Sequence, residues 1–169
     1  NYYINFQDPE GEPFDDPLIV DGNEYIKVGW AAFDSDAGYG WSGENMGTDI
    51  LMTGWSTDES FNVIERSYIY DDYGRDNLFE FELSPGTYAV TVGVGMAGRA
   101  YEGQPHNVTI EGIPVVDDEP TLPDATVIAR SATIPITDGA LSMVVAGRSA
   151  SIGDYSYTFL DYLQIELVE

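Results

Sequence analysis

Residues 77–95 read Asn-Leu-Phe-Glu-Phe-Glu-Leu-Ser-Pro-Gly-Thr-Tyr-Ala-Val-Thr-Val-Gly-Val-Gly. Phe79, Phe81 and Leu83 alternate with Glu80 and Glu82; Ser84-Pro85-Gly86 interrupts, and Tyr88, Val90 and Val92 resume the alternation. A period of two around a Pro-Gly break predicts two antiparallel strands with one buried face. Working outward, eighteen glycines and nine prolines separate short apolar runs, and no segment carries a helical period of useful length. Further strands are predicted at 2–7, 24–28, 62–69, 107–111, 126–134, 140–145 and 158–167, beside those at 77–83 and 87–94. The predicted fold is an all-β sandwich in a single domain, 1–169, without internal repeats.

The chain has 169 residues, enough for a core, and 13% aromatics with twelve tyrosines, more than a disordered acidic segment carries. It has no cysteine, so neither a disulfide framework nor a thiolate metal site is available. Thirty acidic residues against six basic ones give a net charge of −24. Such a field repels nucleic acid and anionic membranes, and salt relieves its self-repulsion. No apolar run approaches the ~20 residues of a membrane span. The chain starts at Asn1 without a signal-peptide pattern, as a processed protein or an excised module would.

Stretch 29–60 reads as one long irregular loop holding Trp30, Phe33, Tyr39, Trp41 and Trp55. Flat aromatic faces in a loop suit stacking on a sugar; Trp41 and Tyr39 are the expected contacts, and at least two of the five the expected core plugs. A second loop covers 96–105, and an acidic, proline-bearing connection covers 116–124. Gly93-Val-Gly-Met-Ala-Gly98 has the G-x-G-x-x-G form, but Gly103 and Pro105 break the helix a dinucleotide fingerprint needs. His106 is the only histidine, and no serine stands in G-x-S-x-G, so nucleophilic catalysis has little to draw on. Asp34-Ser-Asp36-Ala-Gly38 offers oxygens on alternate residues before a glycine, as calcium loops do; the alternative is a solvated turn. Asn107-Val-Thr109 is a formal glycosylation sequon within an apolar strand pattern.

The order of segments carries a resemblance. It runs from Ile4-Asn-Phe-Gln7 through Gly38-Tyr-Gly-Trp41, Glu65-Arg66, the 79–92 stretch, His106-Asn-Val-Thr-Ile-Glu-Gly112 and Asp138-Gly-Ala-Leu-Ser-Met143 to Leu160-Asp-Tyr-Leu-Gln-Ile165. This order resembles the galactose-binding-like β-sandwiches, specifically the malectin-like modules beside rhamnogalacturonan acetylesterases and bacterial glycoside hydrolases. The last segment is also similar to the closing strand of carbohydrate-binding module families 6 and 35. The resemblance implies a jelly-roll sandwich that binds carbohydrate, with a structural calcium ion. It places Asp161 at the last strand's start with Gln7 or Asn5 opposite, though the first-strand Glu of families 6 and 35 is absent. It places sugar contacts on Tyr39, Trp41, Tyr68, Tyr101 and His106, in loops at one end of the sandwich.

The expected function is a non-catalytic carbohydrate-binding module, secreted and monomeric. It would hold an attached polysaccharide-degrading enzyme at its polymer, a neutral or weakly charged galactan of agar type or a pectic polysaccharide. Stacking falls to Tyr39 and Trp41, with Trp30, Trp55, Tyr68 and Tyr101 as further aromatic contacts and Arg99, His106 and Asn107 as polar ones. Metal ligands are expected among Asp161, Gln7, Asp34 and Asp36. The rivals are an esterase or lyase fragment using His106 and a structural or adhesion spacer.

Overall fold

A computed structural model describes residues 1–10, 16–42 and 51–168. In chain order the strands begin with β1 (Tyr2–Phe6), β2 (Leu18–Val20), β3 (Asn23–Val28), β4 (Tyr39–Ser42), β5 (Leu51–Trp55), β6 (Ser67–Asp71) and β7 (Asn77–Glu82). They continue with β8 (Gly86–Gly95), β9 (His106–Ile110), β10 (Ile113–Glu119), β11 (Val127–Ile136) and β12 (Ala140–Val145). The last three are β13 (Gly147–Arg148), β14 (Tyr155–Ser156) and β15 (Leu160–Leu167). One sheet has the order β11-β8-β15-β1-β3-β2, with β6 also against β15 and β5 on β6. The other has the order β10-β9-β12-β7-β4, and β13-β14 form a separate ribbon. The expected jelly-roll sandwich is the architecture of the chain.

The stretch that announces the fold does not form a hairpin. β7 pairs with β12 and β4 in one sheet, whereas β8 pairs with β15 and β11 in the other. The Ser84–Pro85 turn is thus an arch between sheets, closed by the Tyr88 hydroxyl donating to the Ser84 carbonyl at 2.8 Å. Phe79, Phe81 and Leu83 meet Tyr88, Val90 and Val92 within one core rather than side by side on one face. Alternation reports which face is apolar and is blind to whether the partner lies beside the strand or across the core. β8 gains more from the full ten-residue ladder with β11 than it would from the shorter β7.

Trp41 is corrected here: it is 1% exposed and belongs to the core. Its ring packs on Phe79 at 5.2 Å and Phe6 at 6.0 Å, and its indole N–H donates to the Gly29 carbonyl at 2.8 Å. The 29–60 stretch is also not one loop, since it contains β4 and β5; its residues 43–50 lie outside the described ones. The acidic 116–124 connection continues β10 as far as Glu119. Predicted strand 62–69 opens instead as a 3-10 turn, Val63–Glu65, because Asn62 and Glu65 form a reciprocal capping box. This turn packs on the outer face of the first sheet, where Ile64, Tyr162, Tyr25 and Leu18 make a small second cluster. Tyr162 lies flat there over Gly93, where a Cβ would overlap its ring. The first glycine of the G-x-G-x-x-G string therefore serves packing.

Trp41→Ala is expected to cost about 3–5 kcal/mol of unfolding free energy. Trp55→Ala, at a 49% exposed position, is expected to cost less than about 1 kcal/mol. Urea denaturation of both variants checks the assignment of core and surface tryptophans.

Candidate functional site

At the end of the sandwich where β15 begins, four side chains gather around Phe159. Tyr68, Tyr70, Tyr101 and His106 have ring centroids 5.2, 5.0, 4.7 and 5.8 Å from that of Phe159. Phe159 is buried, whereas the three tyrosines are partly exposed. The period of β6 produces this arrangement: Ser67, Ile69 and Asp71 are buried, and Tyr68 and Tyr70 take the opposite face. Tyr68 can lie flat because its neighbour across β5 is Gly54, where a Cβ would collide with the phenol ring. Tyr101 arrives from the 96–105 loop with the Arg99 guanidinium 4.9 Å above its ring. That loop is pinned: Gly98 N–H donates to Thr126 Oγ1 at 3.1 Å and Tyr101 N–H to Thr121 Oγ1 at 2.9 Å.

Asp161 lies next to this cluster in sequence and in space. Opposite β8, Leu160 pairs with Val94 but Tyr162 pairs with Gly93, so Asp161 is the extra residue of a β-bulge. Its side chain is fully buried, and neither carboxylate oxygen has a hydrogen-bond partner. Burial, and then the charge of Glu65, hold its carboxyl well above the usual carboxylate range. Burial also raises the Tyr68 phenol, and Tyr70, Tyr101 and Asp161 raise it further while Arg99 lowers it. Three tyrosines, one arginine and one unsatisfied carboxyl are thus within electrostatic reach of one another through a single phenol. Such a set offers flat apolar faces ringed by donors and acceptors.

His106 forms the wall behind the cluster and is not a solvent-facing contact. It is 0% exposed, and its Nδ1 lies 3.2 Å from the Tyr157 carbonyl. A carbonyl only accepts, so Nδ1 carries the proton and Nε2 is left without a partner. Burial lowers its pKa to about 4, and among the described residues no serine hydroxyl or carboxylate bonds to it. Tyr39 stands elsewhere, stacked on Phe81 at 5.9 Å and lining a cavity of about 280 Å³ with Lys27, Asp34 and Pro9. Trp30 and Trp55 are each 49% exposed, outside the ring contacts of the cluster. Asn107 lies on the outer face of the second sheet, bonded to Asp118. Sequence reasoning missed Tyr70 and Phe159, although the Tyr-x-Tyr alternation in β6 carried the signal for Tyr70.

The metal candidates do not converge. Asp34 Oδ1 accepts the Asp36 backbone N–H at 2.9 Å in an exposed turn. Gln7 Nε2 donates to Asn5 Oδ1, and Asn5 Nδ2 donates to the Asp161 carbonyl at 2.9 Å. The first strand's amides therefore reach the main chain of Asp161. Calcium takes about six to eight oxygens, and among the described residues no three acidic or histidine side chains assemble such a set. Among the described residues, Asp161, Gln7, Asp34 and Asp36 do not come together as one oxygen-ligand set.

No protein-family model and no curated protein matches the chain. Solved structures do. The ANX1 ectodomain from Arabidopsis thaliana is similar with a TM-score of 0.68 at 10% identity, covering 99% of this chain and 48% of the other. Protein YXIM from Bacillus subtilis gives a TM-score of 0.60 at 21% identity, covering 99% and 40%. A complex of the plant peptide RALF23 with FER and LLG2 gives 0.64 at 11% identity, covering 99% and 39%. At these identities the likeness shows the fold alone, a β-sandwich shared over nearly the whole chain. The chain spans less than half the length of each of these structures. Among the described residues, no helix is long and apolar enough to cross a membrane.

The raised carboxyl of Asp161 sets a pH dependence. Above the unfolded carboxylate pKa the native state binds the additional proton, so stability falls as pH rises toward the native value. Asp161→Asn is expected to flatten this slope and to raise the urea midpoint at neutral pH, checked by unfolding across a pH series. A lower midpoint at every pH would mean that the carboxylate is paired after all.

Proposed function

We propose that this chain is a non-catalytic carbohydrate-binding module, working outside the cell within a longer protein that degrades polysaccharide. The observation that carries the reading is the tyrosine cluster with the unsatisfied, fully buried Asp161 beside it. Tyrosine rings stack on the C–H face of a pyranose at little entropic cost, while their hydroxyls and Arg99 answer the sugar's own hydroxyls, and the buried Asp161 acts on them only through its field on the Tyr68 phenol. The buried placement of His106, bonded only to a carbonyl, favours binding over hydrolysis. Similarity to structures more than twice the chain's length supports a module within a larger protein, and the ANX1 ectodomain supports an extracellular setting. The net charge of −24 favours a neutral or weakly charged polymer, a galactan or a pectic chain, over a heavily sulfated one.

Affinity electrophoresis against agarose, pectin, xylan, laminarin and alginate tests the reading. Retardation by one polymer is expected, with Tyr68→Ala and Tyr101→Ala each weakening it by roughly tenfold. Trp55→Ala is expected to leave it unchanged. The absence of retardation by every polymer, or retardation that survives both tyrosine variants, overturns the assignment.

A further inference from the structure

A second cavity, of about 410 Å³, opens on the outer face of the second sheet. Its lining is mostly polar, and Val144 on β12 and Ala146 just beyond it give it a small apolar patch. One side carries Tyr155, 44% exposed, and Arg148, whose guanidinium lies 5.5 Å above that ring. Asp76 and Asn107 also line it.

The Arg148–Tyr155 ribbon is rigidly placed. Arg148 Nη2 donates to the Gly153 carbonyl at 2.7 Å and Ser149 N–H to the Asp154 carbonyl at 2.9 Å. Ser151 N–H donates to Asp118 Oδ2 at 2.7 Å, and Gly147 N–H to the Gly74 carbonyl at 2.9 Å. Asp118 in turn locks the Asn107 amide through two hydrogen bonds. Asp76 comes in on the turn that Gly74 holds and packs against Gly147, where a Cβ would meet its carboxylate. Arg148 and Asp76 share this cavity yet make no ion pair, and among the described residues the Asp76 side chain has no hydrogen-bond partner.

We infer that this cavity is a second carbohydrate subsite, taking a neutral sugar unit through a vicinal diol. An acceptor-only carboxylate and a donor-only guanidinium, unpaired with each other beside the small Val144–Ala146 patch, match neighbouring hydroxyls that donate to one and accept from the other. The C–H face of the ring covers Val144, Ala146 and the edge of Tyr155. An anionic ligand meets Asp76 and the overall negative field, and a cationic one meets Arg148. The volume suits one or two sugar rings. The inference stands independently of the Tyr68 cluster, because the two sites share no lining residue.

The test is an amide-resolved NMR titration of the chain with methyl glucoside, methyl galactoside, cellobiose and their 2,3-di-O-methyl counterparts. Saturable shifts are expected at Asn107, Thr109, Gly147, Arg148 and Tyr155 with at least one unblocked sugar and with none of the methylated ones. Arg148→Ala and Asp76→Ala are each expected to weaken those shifts at least about tenfold while leaving any shifts at Tyr68 and Tyr101 in place. Tyr68→Ala is expected to do the reverse, so failure of one site is read separately from failure of the other. Shifts confined to the Tyr68 end, no shifts with any of the sugars, or shifts indifferent to Arg148→Ala overturn the inference.

Discussion

The bulge at Leu160–Tyr162 is the constraint on which both core and site depend. Leu160 and Leu163 are three residues apart and both are fully buried in the same core. In a regular strand an odd separation sends two side chains to opposite faces. The extra residue in β15 repairs the phase, so that Leu160 packs with Val94 and Leu163 with Val92. That extra residue is Asp161. A carboxyl at this point loses its water without gaining a hydrogen bond, a cost of order 1–3 kcal/mol or more for an unsatisfied buried group. The surrounding strands absorb it, since β15 is paired with β8, β1 and β6 at once.

The scarce positive charge is distributed in a way that surface ion pairing does not explain. Lys27 and Arg130 make salt bridges, with Asp16 at 3.9 Å and Glu119 at 2.5 Å. Arg75, Arg99 and Arg148 instead lie over Tyr73, Tyr101 and Tyr155, at 5.5, 4.9 and 5.5 Å. Each such contact is worth about 0.5–1 kcal/mol at an exposed site, comparable to a surface salt bridge. It leaves guanidinium N–H groups that a bidentate carboxylate would occupy, although Arg148 gives one of its own to the Gly153 carbonyl. Arg75 and Arg99 stand on the connections after β6 and β8, and Arg148 faces Tyr155 across the β13–β14 ribbon. At these places the protein keeps hydrogen-bond donors available in spite of thirty acidic residues.

The tryptophans show how far loop composition can be trusted. Gly38-Tyr-Gly-Trp41 has the look of a flexible aromatic loop. In the structure it is a strand, β4, whose Trp41 plugs the core against Phe6 and Phe79. Its glycines disguise the alternation that would reveal a strand. The tyrosine cluster was half legible. The order of segments points to Tyr68 and Tyr101, and hydrogen-bonding capacity to Arg99, and these three meet; Tyr70 shows only in the Tyr-x-Tyr alternation of β6, and Phe159 leaves no local trace, because its ring contacts span β6, the 96–105 loop and the start of β15.

The sequence by itself determined the all-β class and most strand positions, because alternation and Gly-Pro punctuation are local consequences of the pleat. It also determined the negative field, which is a matter of composition alone. Only the tertiary structure decided that β7 and β8 lie in opposite sheets, that Asp161 sits unsatisfied in a bulge, and that Trp41 is core while Tyr68 is surface. Those outcomes depend on which strands pair and in what register, and pairing is settled by total burial across the whole chain rather than by any one segment.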